Sequence, residues 1–417
     1  RDDSGHDGGS GADIRGQLFT NQGAMIGEEF LVNSHTGSTQ SLPSVTALKD
    51  GSFVVTWQSY SQDGDGNFYN VYGQRYDQNG ATKGDEFLVN TYTSGQQYIP
   101  AVAKHGDGFV VTWRDDSGHD GGNSWDVRAK TFTTKDVDTP TAGVDEFLVN
   151  TTTYQYQSEP DVASLDGGGF VVTWQSEWQD GDSNNVYNIY GQRYDKDGKA
   201  LDAPGTTEGE FLINTYTSNN QQLPSVTSLG SKGFVVTWQS YSEHDGGQYE
   251  DISGQIFNTS GEKVGDEFRI NTQTSSHQMN PSVAMLDDGS IVVTWESYSQ
   301  DKGASGVVDY SRGVFSQHLN ADGTKAGDVK MVGGSGDETL VFDAAQDDLA
   351  IDLGDGIDTL TLGANNDDVS VANTETVKLG DGDDRVVVTG ENQAHQTDKI
   401  TLKGTIETGD IYTVTVN

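Results

Sequence analysis

The chain has 417 residues, 64 of them acidic and 24 basic, and its formal charge at pH 7 is -40. A surface this acidic repels nucleic acid and anionic membranes, so neither is expected as a partner. The absence of cysteine excludes disulfides and thiolate metal sites. No apolar stretch approaches the roughly 20 residues of a membrane span, so no membrane insertion is expected.

A repeat of about 60 residues occupies residues 1–332 and contains four short runs with strand character. The first run reads Glu-Phe-Leu-Val-Asn or a close variant, and its copies end at Asn33, Asn90, Asn150, Asn214 and Asn271. The second run carries a proline, at Pro43, Pro100, Pro160, Pro224 and Pro281. The third contains a tryptophan, at Trp57, Trp113, Trp174, Trp238 and Trp295, and the fourth resembles Gly-Gln-Arg-Tyr.

The four runs of each repeat have the character of one antiparallel sheet. Pairs such as Asp50 and Gly51 link the second and third runs as a tight hairpin, and the proline stands where a strand tolerates it. Four antiparallel strands repeated radially are typical of a β-propeller blade. The sequence therefore predicts an all-β fold with a five- or six-bladed β-propeller-like domain over residues 1–332. An open array of four-stranded units is the alternative. The five repeated tryptophans are expected in equivalent interior positions.

The composition of the sequence changes near Gly333. Beyond this residue there is no tryptophan or proline, and the expected turns are rich in glycine and aspartate. Three copies of one motif occupy residues 333–340, 353–360 and 379–386. They resemble the Gly/Asp-rich nonapeptide repeats of RTX proteins, a calcium-binding family exported by type I secretion. The resemblance implies a short parallel β-solenoid, or β-roll, over residues 333–417, and a secreted bacterial protein. The calcium ligands that it implies are Asp355, Asp358, Asp381, Asp384, Asp337 and Glu338. We expect the turns at Asp355 and Asp381 to share one edge of the solenoid.

The loop after each repeated tryptophan is a second candidate calcium site. Calcium prefers six to eight oxygen ligands, which closely spaced Asp and Asn side chains supply. The alternative is that these residues only form turns. The candidate ligands are Asp63, Asp65, Asn67, Asn70, Asp120, Asp126, Asp180, Asp182, Asn188, Asp245, Asp251, Asp301 and Asp309.

Two further sets of residues are candidate ligand-binding positions. A glutamine stands three residues before each repeated proline, and five such amides in a ring are a possible glycan site, although hydrogen bonds to the backbone are the favoured interpretation. Trp125 and Trp178 lie outside the repeated tryptophan position and are candidates for stacking on sugar. The glutamines are Gln40, Gln97, Gln157, Gln221 and Gln278.

The sequence favours a secreted, extracellular calcium-binding module with a structural or adhesive role in a larger cell-surface or matrix protein. Calcium is the expected cofactor, and glycans or copies of the chain are further possible partners. An enzyme is not expected, because no catalytic motif is recognised and no repeat carries a unique cluster of acid, base and nucleophile. Two alternatives remain: a propeller enzyme acting on polysaccharide, as a glycosidase or lyase, and a lectin-like glycan-binding propeller.

Overall fold

The computed structural model describes most of the repeats and the strands beyond them. The described residues are 11–20, 23–62, 68–119, 125–134, 138–153, 155–177, 179, 186–203, 209–241, 249–272, 274, 276–298 and 312–324, and from residue 330 onward the backbone of nine strands. The chain divides into two compact units, residues 1–285 with 294–296, and residues 286–293 with 297–417. No helix in the described part is long and apolar enough to cross a membrane.

The described part of the repeats contains 22 strands, and a 3-10 turn occupies Gly230–Lys232. The strands are β1 (Arg15–Phe19), β2 (Met25–Leu31), β3 (Gln40–Ala47), β4 (Phe53–Tyr60), β5 (Tyr69–Tyr76), β6 (Thr82–Leu88), β7 (Gln97–His105), β8 (Gly108–Asp115), β9 (Asp126–Thr133), β10 (Thr141–Ala142), β11 (Phe147–Leu148), β12 (Gln157–Ser164), β13 (Phe170–Glu177), β14 (Tyr187–Tyr194), β15 (Glu210–Leu212), β16 (Gln221–Ser228), β17 (Phe234–Tyr241), β18 (Glu250–Phe257), β19 (Lys263–Arg269), β20 (Gln278–Met285), β21 (Ile291–Tyr298) and β22 (Arg312–Leu319).

These strands form a leading hairpin, β1–β2, and a series of antiparallel sheets in chain order. The first sheet contains β3–β6, the second β7–β11, the third β12–β15, the fourth β16–β19 and the fifth β20–β22. In each of the first four sheets the proline strand is followed by the tryptophan strand, the Gly-Gln-Arg-Tyr-like strand and, last, the Glu-Phe-Leu-Val-Asn run. The all-β, propeller-like prediction is therefore confirmed. The Glu-Phe-Leu-Val-Asn run, placed first in each repeat by the sequence pattern, forms the last part of each sheet instead.

Neighbouring sheets share their cores. Val54 and Val71 of the first sheet pack in one cluster with Phe109 and Trp113 of the second, and the second and third sheets and the third and fourth sheets are joined in the same way. The tryptophan strand is buried along nearly its whole length because sheets cover both of its faces. The repeated tryptophans are buried in equivalent positions, as predicted: Trp57, Trp113, Trp174, Trp238 and Trp295.

The residues after 329 form a parallel β-solenoid. One sheet has the order β23-β25-β27-β29-β31 and the other β24-β26-β28-β30, so the chain alternates between them. Lys330 aligns with Ala350, which gives a coil of 20 residues, and Asp368 aligns with Arg385, which gives a coil of 17. The strands are β23 (Lys330–Val332), β24 (Thr339–Phe342), β25 (Leu349–Asp352), β26 (Thr359–Leu362), β27 (Asp368–Ala372), β28 (Thr376–Lys378), β29 (Arg385–Gly390), β30 (Thr401–Lys403) and β31 (Ile411–Val416).

The turns expected to share one edge of the solenoid lie outside the described residues. Asp355 and Asp358 come between β25 and β26 along the chain, and Asp381 and Asp384 come between β28 and β29. The shared edge therefore stays a prediction.

Candidate functional site

The repeated glutamines are internal hydrogen-bond partners of the tryptophans. In each repeat the glutamine Oε1 accepts a hydrogen bond from the indole Nε1, at 2.7 to 3.1 Å, and the glutamine is 0% exposed. A buried indole N–H needs such an acceptor. These five side chains are therefore unavailable as an amide ring for glycan. The pairs are Gln40 with Trp57, Gln97 with Trp113, Gln157 with Trp174, Gln221 with Trp238, and Gln278 with Trp295.

The polar residue near the start of each Gly-Gln-Arg-Tyr-like strand is held by an asparagine. Asn214, for example, donates its Nδ2 to Asn188 Oδ1 at 2.7 Å and accepts the backbone N–H of Ile189 at 2.7 Å. Its counterparts bond alike and are buried. Four positions expected to bind calcium are thus used in side-chain clamps between strands. The clamp pairs are Asn33 with Asp13, Asn90 with Asn70, Asn150 with Asp126, Asn214 with Asn188, and Asn271 with Asp251.

The other candidate ligands lie outside the described residues. Among the residues that are described, no group of three His, Cys, Asp or Glu side chains is placed to hold a metal ion. Calcium at the remaining positions stays a prediction. The positions outside the described part are Asp63, Asp65, Asn67, Asp120, Trp178, Asp180, Asp182, Asp245, Asp301, Asp309, Asp337, Glu338, Asp355, Asp358, Asp381 and Asp384.

One position after the repeated tryptophan breaks the symmetry of the sheets. In the first sheet Gln58 donates to Ser41 Oγ at 3.1 Å and accepts the N–H of Ile99, in the next sheet, at 3.0 Å. The third sheet repeats both bonds through Gln175. In the second sheet the residue is Arg114, which cannot accept a hydrogen bond. The link between sheets made by the glutamines is therefore replaced there by a cation.

Arg114 lies between two aromatic rings. Its guanidinium carbon is 4.5 Å from the ring centre of Tyr98 and 4.1 Å from that of Trp125. Its Nε is buried and has no hydrogen-bond partner, and burial lowers the pKa of this arginine. A buried donor without an acceptor costs about 1–3 kcal/mol, which a bound ligand can offset by supplying an oxygen. The Nε–H of Arg114 is therefore a hydrogen-bond donor for which the described residues supply no acceptor.

The sandwich belongs to a longer row of rings, here called the aromatic row. Tyr60 and Tyr69 are 5.0 Å apart, Tyr69 and Tyr98 5.3 Å, and Trp125 and Tyr156 4.7 Å. Arg114 joins its two halves. Tyr156 is 41% exposed, and the other rings are half-buried. The row crosses the first three sheets and has the character of a stacking surface for flat apolar ligand faces.

Three carboxyl groups flank this row. Burial raises the pKa of Glu159, and the nearby charge of Arg114 acts against it. Burial also raises the pKa of Glu177 and of Asp116. Both glutamates act on Tyr187, whose pKa is raised by burial and by their charges. Shifted acids beside a symmetry-breaking arginine are characteristic of functional sites.

The sequence carries a signal for this site, although not at the repeated polar positions. Glu159 stands directly before the repeated proline, where the other sheets have Leu42, Ile99, Leu223 and Asn280. It has a φ of 53°, in the left-handed region, like the residues at the equivalent positions. A charged residue at this position, opposite an arginine found in one sheet alone, marks the departure from the repeat. Trp125, predicted as a stacking residue, lies within it.

Comparisons with known proteins give likenesses of structure. No family model and no curated protein matches the chain. The endo-arabinase of Bacteroides thetaiotaomicron is 14% identical, with a TM-score of 0.39, over 66% of this chain and 92% of that one. An α-L-arabinofuranosidase of Fusarium graminearum, solved with arabinobiose, is 12% identical, with a TM-score of 0.45, over 73% and 92%. A protein of unknown function from Dyadobacter fermentans is 12% identical, with a TM-score of 0.45, over 68% and 80%.

These comparisons correct two expectations. The chain was expected to be a calcium-binding structural or adhesive module and not an enzyme, whereas the structures of similar fold named above include an endo-arabinase and an α-L-arabinofuranosidase, the polysaccharide-enzyme class that the sequence left as an alternative. Within the repeats, four amide and acid positions interpreted as ion ligands are instead hydrogen-bonded to asparagine. At this identity the likeness concerns the fold, so the activity is argued below from the chain's own residues.

Proposed function

We propose that the chain is a glycosidase that binds a polysaccharide along the aromatic row and cleaves it beside Arg114. The observation that carries this proposal is the stacked Arg114, with its unused Nε, near the half-buried carboxyl of Glu159. No other described sheet has an arginine at this position.

Sugar rings fit the chemistry of the row. The C–H face of a pyranose or furanose packs on aromatic rings, while its hydroxyl groups need polar partners at the rim. Tyr98, Trp125 and Tyr156 supply rings, and the Nε of Arg114 supplies a donor for a hydroxyl or ring oxygen. The polysaccharide is expected to be neutral or weakly charged, because the chain's charge of -40 repels polyanions.

The carboxyl groups supply the acid–base chemistry. Hydrolysis of a glycosidic bond needs one carboxyl that donates a proton to the leaving oxygen and a second, ionised carboxylate on the other side of the bond. Glu159 suits the first role, because burial raises its pKa and keeps the proton on it to higher pH. Glu177 and Asp116 are the candidates for the second carboxyl, which must be ionised to activate water or to attack the anomeric carbon.

The test is release of reducing ends from a panel of neutral polysaccharides, arabinan and xylan among them. Glu159→Gln keeps the size of the side chain and removes the proton donor, so kcat is expected to fall at least about 100-fold while binding changes little. The matched control is Glu262→Gln, the same change at an exposed hairpin of the fourth sheet, and its kcat should equal that of the parent. Equal activity of Glu159→Gln and parent would refute the assignment.

A glycan-binding protein without catalysis is the second candidate. The length of the row favours it, since Tyr60 and Tyr69 extend the stacking surface away from the carboxyl groups. The two candidates differ in one measurement. Binding of a polysaccharide that is lost in Trp125→Ala, with no reducing ends released on prolonged incubation, supports the binding protein and overturns the glycosidase.

A further inference from the structure

Two sheets carry an arginine at the same position of the Gly-Gln-Arg-Tyr strand, in different surroundings. In the first sheet Arg75 is 1% exposed, donates its Nε to Ser52 Oγ at 3.0 Å and forms an ion pair with Asp50. Burial acts to raise the pKa of Asp50, but hydrogen bonds from Ser52 and the charge of Arg75 lower it to about 2. The guanidinium of Arg75 therefore has an ionised carboxylate and a hydroxyl as built-in partners.

The third sheet has the arginine without those partners. Arg193 is 7% exposed, and its Nη1 and Nη2 donate to the carbonyls of Thr259 and Asp202, each at 3.1 Å. Its Nε is buried and has no hydrogen-bond partner among the described residues, and burial lowers the pKa of this arginine. The residues that stand where the first sheet has Asp50 and Ser52 are Gly167 and Gly169.

An open cavity occupies the place of the missing side chains. Its volume is about 230 Å³, and its lining includes Gly167, Gly169, Arg193 and Lys196. Gly169 is fixed as glycine, because a Cβ there would lie 2.2 Å from the carbonyl oxygen of Tyr194. The vacancy beside the guanidinium is therefore built into the third sheet.

We propose that this cavity binds a small carboxylate, which takes the place that the Asp50 and Ser52 side chains together have beside Arg75. A buried guanidinium with an unused N–H is matched by a planar carboxylate, which accepts hydrogen bonds and supplies negative charge. Lys196 at the rim is ion-paired with Asp197, and Asp166 and Asp195 also line the cavity, so Arg193 is the cation that would hold the anion. The proposal is independent of the glycosidase assignment, since it concerns another edge of the sheets.

The experiment measures thermal unfolding of the full chain by tryptophan fluorescence at pH 7. Sodium acetate and sodium glucuronate are compared with sodium sulfate and sodium chloride at equal ionic strength. Acetate at 50 mM, roughly several times the expected Kd, should raise the Tm by about 2 °C in a saturable manner, and chloride should not. A further rise with glucuronate would identify a sugar acid as the natural ligand, and a rise with acetate alone a simple carboxylate. An equal rise with sulfate would overturn the carboxylate assignment.

Two variants separate the site from general salt effects. Arg193→Gln should abolish the acetate-dependent shift, while Arg75→Gln, the same change in the first sheet, should keep it. Because Arg193 is buried, its substitution can impair folding. A variant that creates a second binding site therefore provides an independent measurement. Asp50→Gly combined with Ser52→Gly gives the first sheet the two glycines of the third, so the acetate bound in equilibrium dialysis should rise from one per chain to two. Absence of saturable acetate binding to the parent, or an unchanged stoichiometry in this double variant, would overturn the proposal.

Discussion

The first and second sheets share one interior and differ on one face. Inside both, a buried glutamine accepts the indole N–H, and an asparagine clamps the next strand. On the face that meets the following sheet, the first has Gln58, bonded to its neighbour's backbone, whereas the second has Arg114, stacked between rings. The comparison teaches that repetition in this chain serves folding, and that a residue's departure from the repeat is the better guide to function.

The third sheet extends this lesson to two other positions. Asp161 stands where the first and fourth sheets have Ser44 and Ser225, and it accepts the same kind of backbone N–H from the following sheet, that of Val226, at 2.8 Å. Arg193 keeps the repeated cation but lacks its partners. Each departure introduces or exposes a charge at a junction between sheets, where a buried charge is costly unless a partner is supplied.

The largest effect is expected from breaking the shared interior. Asn214→Ala removes the partners of Ile189 N–H, Asn188 Oδ1 and the Tyr216 carbonyl, all in a buried site. Leaving such groups unpaired should lower the free energy of unfolding by about 3 kcal/mol. Urea unfolding followed by tryptophan fluorescence measures it. Asn79→Ala, in an exposed turn, is the control and should change stability by less than about 0.5 kcal/mol. Similar values for both variants would contradict the clamp.

A pH-dependent effect should follow from the charge at Asp161. Burial raises the pKa of this carboxyl to about 6, although the N–H groups of Val226 and Val162 act to lower it. The folded chain thus holds a proton that the unfolded chain releases near pH 4, so this contribution to stability is full below pH 4 and is lost as the pH rises through 6. A shift of about two units corresponds to about 3 kcal/mol at most.

The variant that isolates this contribution is Asp161→Ser, which introduces the residue of the first and fourth sheets. At pH 7 its free energy of unfolding, measured in urea, should exceed that of the parent by about 1–2 kcal/mol. This figure allows for the weaker hydrogen bond that serine accepts. At pH 4 the advantage should disappear. Parallel pH profiles for variant and parent would show that Asp161 does not titrate in this range and would sink the prediction.

The sequence predicts the architecture well and the site poorly, for a physical reason. The spacing of Trp57, Trp113 and their counterparts follows from core packing, which repeats, so the strands and the buried tryptophans could be derived from the pattern. The point at which each repeat begins could not be derived from the pattern. The run ending at Asn90 pairs with the strand before it, and the turn at residues 77–81 that joins them resembles a boundary between repeats. A repeated acid or amide is equally consistent with an ion ligand and with a clamp, and only the asparagine partner decides between them.

The site itself was visible as an exception. Arg114 and Glu159 depart together from positions that are otherwise glutamine or glutamate and apolar or amide. Their proximity depends on how the second sheet packs on the third, which no local pattern contains. Trp125 could be singled out by its position alone, but its contact with a cation could not.

A smaller effect is expected from returning the second sheet to the pattern of the first. Arg114→Gln removes the cation between Tyr98 and Trp125, and the new amide can accept the N–H of Glu159 as Gln58 accepts that of Ile99. Binding to the polysaccharide should weaken about tenfold, or roughly 1.4 kcal/mol, with unchanged stability. Affinity electrophoresis in polysaccharide gels measures the first and urea unfolding the second. Gln239→Arg, the reverse change in the fourth sheet, should not create binding, because no aromatic pair of this kind is described there. Unweakened binding in Arg114→Gln would separate the aromatic row from glycan recognition.

The smallest effect is expected from removing calcium with a chelator. This experiment tests whether the asparagine clamps inside the sheets hold without ions. All seven tryptophans precede residue 333, so their fluorescence reports on the repeats and not on the solenoid. In the repeats, the oxygens of Asp126 and Asp251 that were candidate ion ligands accept hydrogen bonds from Asn150 and Asn271, at 2.7 Å each. Since these bonds need no cation, excess chelator should shift the fluorescence-monitored Tm by less than about 1 °C, within the range of surface effects. Magnesium-loaded chelator is the control for added salt. A fall of several degrees that calcium reverses and magnesium does not would mean that ions hold the loops after the tryptophans, and that the clamps alone do not fix the sheets.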